Sequence, residues 1–92
     1  MMENTILKPV IDLENTGLQI KKLRKISGFS VRDLQTIFGF EYPQAVYAWE
    51  QGKNIPSIDN LLVLSKLFGV PVEEIVMTKT VAIELTPNKK IA

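Results

Sequence analysis

At 92 residues the chain suits one small domain with a modest core, and it contains neither cysteine nor histidine. That removes a disulfide framework, a thiolate nucleophile and the commonest metal ligand and general base, so most enzyme classes are excluded and no metal or cofactor is expected. The net charge is +1, no apolar run reaches the length of a membrane span, and no basic region followed by an apolar signal core opens the chain, so a soluble, cytoplasmic protein is expected.

Residues 1–15 show no helical stripe, and Pro9 followed by Val10, Ile11, Asp12 and Leu13 reads as an extended N-terminal arm. A first helix is predicted from Thr16, as its N-cap, to about Ser27, with Gly28 as the stop signal and Ile20 and Leu23 buried. Ser30 caps a second helix in which Val31, Leu34, Ile37 and Phe38 form one apolar stripe, and Gly39 ends it. After Phe40 and Glu41, Pro43 suits the first turn of a third helix. That helix buries Val46 and Trp49 and turns Gln44, Tyr47, Ala48 and Gln51 outward at the same spacing.

Gly52, Asn54 and Pro56 then mark a loop, and Ser57 caps a fourth helix from Ile58 to Phe68 that Gly69 closes. Pro71, Glu73 and Glu74 start a short fifth helix ending near Val76, with the glutamates at its positive dipole end. Val81, Ala82, Ile83, Glu84 and Leu85 form a β-prone run, closed by Pro87 and Asn88. This run and the N-terminal arm can pair as a ribbon, within a chain or between chains, although a lone two-stranded ribbon is marginal unless something covers a face. The fourth helix is apolar nearly all round, through Ile58, Leu61, Leu62, Val63, Leu64, Leu67 and Phe68, so it needs cover on more than one side. Either a partner chain or the remaining elements of the same chain can provide it.

Charge is unevenly spread. From Thr16 to Ile58, six cations (Lys21, Lys22, Arg24, Lys25, Arg32, Lys53) face three anions (Asp33, Glu41, Glu50), whereas residues 1–15 and the stretch from Asp59 to Met77 are each acidic by two. A lysine-rich helix face is ordinarily just solvated, but a phosphate backbone would be met by this surplus.

Two helices crossing about a short glycine turn form a helix-turn-helix, whose second helix can enter the DNA major groove. From about Leu18 to Val76 the chain resembles Cro/cI-type (Xre-like) helix-turn-helix regulators, through IKKLR, GFS, Leu34 to Gly39, AVYAWEQGK, PSIDNLL and LFGVPVEEI in that order and spacing. The resemblance implies an all-α, compact five-helix repressor-like domain over residues 16–77, with the helix-turn-helix at helices 2 and 3. Short extended arms occupy 1–15 and 78–92, the second as a C-terminal tail with a short strand.

The implied function is that of a sequence-specific double-stranded DNA-binding transcriptional regulator, a repressor and a homodimer. A protein-interaction module such as an antitoxin or anti-repressor, working through helix 4 or the terminal strands, is the second reading. Base edges would be read by Pro43, Gln44, Tyr47 and Ala48, and Gln44 is the strongest of these because its amide can donate and accept at once, matching adenine. Phosphates would be met by Ser30, Arg32, Tyr42, Gln51, Lys53 and Asn54, which add affinity without sequence information. The resemblance also pairs Arg24 with Glu50 to hold the third helix at its angle. The chain departs from the family pattern in a turn one residue longer after Gly39, in Gln35 where small residues are common, and in Val31 where a polar residue is usual.

Overall fold

The computed structural model describes residues 4–85. Eight apolar side chains from four helices and one turn bury one another: Ile20, Leu34, Val46, Trp49, Leu61, Leu64, Phe68 and Ile75. The helices that supply them are α1 (Leu13–Ile26), α2 (Val31–Phe38), α3 (Gln44–Glu50) and α4 (Ile58–Phe68). Two strands, β1 (Thr5–Ile11) and β2 (Thr78–Glu84), pair antiparallel into a two-stranded sheet.

Among the described residues the fold is therefore four helices and a sheet, which corrects the all-α, five-helix expectation. The fifth helix is a single 3-10 turn over Val72–Glu74. Pro71 starts it, but within a few residues Ile75 is drawn into the core and the backbone of Met77 is committed to α1, so no helix can propagate. The two β-prone arms pair within one chain, and β2 begins at Thr78, ahead of the expected Val81. Pro87 and Asn88, the expected stop of the second strand, lie outside the described residues.

Helix α1 also starts earlier than its sequence suggests. Asp12, not Thr16, is the N-cap: its carboxylate accepts from the Asn15 N–H at 3.0 Å and from the Asn15 amide at 2.8 Å. These bonds hold the Asp12 carboxyl below its ordinary value. Thr16 has cap chemistry but sits buried inside the helix, where its hydroxyl accepts from Met77 N–H at 2.9 Å and donates to Met77 C=O at 3.2 Å. With Asp12 N–H donating to Met77 C=O at 2.8 Å, these bonds clamp the root of the ribbon to the helical body.

Helix α4 is covered on one side only. Leu61, Leu64 and Phe68 face the core, and Leu67 packs at its edge, while Ile58 is 77% and Leu62 57% exposed. The ribbon is more exposed still. Of its fourteen positions, only Val10 is even partly covered.

Candidate nucleic-acid interface

The surface around α3 is built from locally satisfied parts. Ser30 and Asp33 form a reciprocal capping box at the start of α2: the Ser30 hydroxyl accepts from Asp33 N–H at 2.9 Å, and the Asp33 carboxylate accepts from Ser30 N–H at 2.8 Å. The Asp33 carboxyl is held below its ordinary value by those bonds. Val31 and Arg32 keep first-turn N–H groups that have no partner within the helix. Gly39 closes α2 in the left-handed conformation, at φ 69°.

The long turn that follows is tied down in two ways. Gln35 donates from its amide to the Glu41 carbonyl at 3.1 Å. Phe40, inside the turn, stacks on Phe38 at a centroid separation of 5.3 Å, and both rings meet Trp49 edge-on at 5.8 and 5.4 Å. Gln35 thus has a use: it braces the extra turn residue. Trp49 is core, 4% exposed.

Behind α3 stands α1. The Arg24 guanidinium grips the Glu50 carboxylate in a two-pronged pair, Nε to Oε2 at 2.6 Å and Nη2 to Oε1 at 3.1 Å, with both side chains more than nine-tenths buried. Its third nitrogen donates to the Phe29 carbonyl at 3.0 Å. The hydrogen bond to Glu50 raises the Arg24 pKa above its ordinary value, so the arginine is always charged. The pairing also removes the one carboxylate of α3 from its outer face.

Two glycines let the backbones approach closely. A side chain at Gly17 would place its first carbon 2.5 Å from the Trp49 carbonyl oxygen and 2.7 Å from that of Glu50. Gly52, at φ 73°, similarly abuts Leu13 and Glu14. Sequence reasoning missed Gly17, although a glycine inside a helical pattern is itself a signal of close packing.

Opposite this anchorage, Gln44, Tyr47 and Gln51 lie exposed on one stripe of α3 and its C-cap, with Ala48 and Pro43 half-buried beside them. Tyr42, 62% exposed, precedes the helix. Ser30 and Arg32 are exposed at the start of α2, and Lys53 and Asn54 are exposed in the loop after α3. The acids in the same region are Asp33, engaged in its cap, and Glu41, exposed in the turn.

A helix-turn-helix family model matches residues 20–75, the span from mid-α1 through the 3-10 turn. The chain belongs to the Cro/cI-type helix-turn-helix family. Among solved structures, this helix-turn-helix chain is similar to the DNA-binding domain of BldD, at 23% identity with a TM-score of 0.59, over 71% of this chain and 93% of that one. A second structure, the S. venezulae BldD DNA-binding domain, matches at 21% identity and a TM-score of 0.58, over 71% of this chain and 96% of that one. At such identities the likeness concerns the fold. No curated protein matches the helix-turn-helix chain closely enough to count as a relative. Among the described residues, no helix is long and apolar enough to cross a membrane.

Proposed function

We propose that this domain is a sequence-specific regulator that binds double-stranded DNA with α3 in the major groove, acts as a repressor by occupying its site, and works as a homodimer. The observation that carries the reading is the two-sided build of α3. Val46, Trp49 and the Arg24–Glu50 pair fix its inner side, leaving Gln44, Tyr47 and Gln51 presented outward on a rigid support.

In this reading Gln44 reads a base edge, Pro43 and Ala48 let the helix approach closely, and Tyr47 packs on a sugar or a thymine methyl. The phosphate backbone is held by the first turn of α2, with the Ser30 hydroxyl, the Val31 and Arg32 N–H groups and the Arg32 guanidinium, and by Tyr42, Gln51, Lys53 and Asn54 on the other side. One such helix reads few base pairs, and a two-fold dimer gains specificity from half-sites about 34 Å apart.

Fluorescence titration of labelled duplexes tests the assignment. Gln44→Ala is expected to relax preference at one base pair by about 1–3 kcal/mol, and Lys53→Ala to weaken binding to all sequences alike and lower the salt slope by about one. If neither change alters binding to a selected duplex, this face does not read DNA.

A further inference from the structure

We propose that the terminal ribbon is the dimer interface and that it pairs through one edge only, β2 against β2 of a second copy, to make a four-stranded sheet. The register pairs Ile11 with Thr78 and Thr5 with Glu84, and hydrogen bonds close the ladder at both ends, from Asp12 N–H to Met77 C=O and from Leu85 N–H to Asn4 C=O. Antiparallel ladders alternate between bonded and non-bonded pairs, so these two bonds settle which way every backbone group of the ribbon points. Even-numbered residues of β1 and odd-numbered residues of β2 bond across the ribbon. The N–H and C=O groups of Thr78, Thr80, Ala82 and Glu84 point away from it on one side, and those of Thr5, Leu7, Pro9 and Ile11 on the other.

The two outer edges are therefore unlike. Pro9 lies in the middle of the β1 edge, where it has no N–H to offer and obstructs an incoming strand. The β2 edge has no proline, and its four outward residues present an unbroken row of donors and acceptors. A molecule with one open edge and one blocked edge closes after two copies, whereas two open edges would build a filament. That selects a second copy of this chain as the occupant.

The pairing that uses all of β2 is centred on Val81, and it is compatible with the outward groups: Thr80 bonds with Ala82 of the second copy, and Thr78 with its Glu84. It sets no like charges directly opposite, since Lys79 faces Ile83 of the other copy. It also answers a need. A two-stranded ribbon alone is marginal in water, and nearly every position of this one is exposed; pairing through β2 satisfies its outward backbone groups and raises the strand count to four.

This interface rests on the homodimer part of the proposed function but not on DNA contact by α3; its test contains no DNA, so a monomeric chain would overturn the dimer and leave the α3 assignment standing. Sedimentation equilibrium of the full chain should give twice the chain mass of 10.4 kDa. Amide hydrogen exchange of that species should show Thr80 and Ala82 protected and Leu7 exchanging freely. Ala82→Pro, which removes an outward N–H and no bond of the ribbon itself, should halve the mass, while Leu7→Pro on the opposite edge should leave it unchanged. A wild-type monomer at millimolar concentration, unprotected Thr80 and Ala82 amides, a dimeric Ala82→Pro or a monomeric Leu7→Pro would each overturn the proposal.

Discussion

Glu50→Ala is expected to lower the stability of the domain by about 3–5 kcal/mol, the cost of leaving a buried charge without its partner. Arg24 cannot escape by losing its proton, because a guanidinium stays protonated in proteins even without a partner, and its side chain is only 9% exposed. Each kcal/mol moves the midpoint of a domain this small by about 4–8 °C, so thermal melting followed by circular dichroism should fall by about 12 °C or more. The pair contributes position rather than net stability. Replacing both partners with apolar residues, as in Arg24→Met with Glu50→Leu, should therefore restore much of the loss. A Glu50→Ala penalty below about 1 kcal/mol, the usual figure for a solvent-exposed pair, would mean that the pair does not anchor α3.

Gly17→Ala sets two effects against each other. Alanine favours a helix interior over glycine by about 1 kcal/mol, so propensity alone predicts stabilisation. Packing predicts the reverse, since the new methyl would sit 2.5 Å from the carbonyl oxygen of Trp49 and 2.7 Å from that of Glu50. Those atoms are backbone, and they can yield only if the end of α3 moves away from α1. Overpacking of this kind costs about 1–3 kcal/mol, sometimes more, and a net loss is expected. Urea unfolding monitored by Trp49 fluorescence measures it, and an unchanged or raised midpoint would show that the two helices are not in close register there. DNA affinity should fall further than the stability loss explains, because the displaced helix is the one proposed to read the groove.

Features set by neighbouring residues are legible in the sequence. Ser30 and Ser57 accept the expected N–H groups, Gly39 and Gly69 adopt the left-handed conformation, and Val46 and Trp49 face the core. Features set by distant partners were not. Thr16 and Asp12 both carry cap chemistry, and what separates them is the contact with Met77, 61 positions along the chain. The 3-10 turn had the composition of a helix start, but the commitment of Ile75 and Met77 to other elements cut it short. Both strands of the ribbon were visible as β-prone arms, whereas their pairing within one chain depends on a register that α1 imposes by holding Asp12 against Met77. For the interface, the outward stripe of α3 followed from spacing. Gly17 and Gln35, which support it, do so through contacts that helical periodicity does not encode.

Amide-shift mapping by nuclear magnetic resonance tests most directly whether the outer stripe of α3 meets DNA. A duplex chosen by selection from random DNA would be added to the labelled full chain at low salt. The largest changes are expected at Gln44, Tyr47 and Gln51, at Val31 and Arg32 in the first turn of α2, and at Lys53 and Asn54. Shifts confined to the ribbon or to the exposed side of α4, with α3 unaffected, would contradict the account.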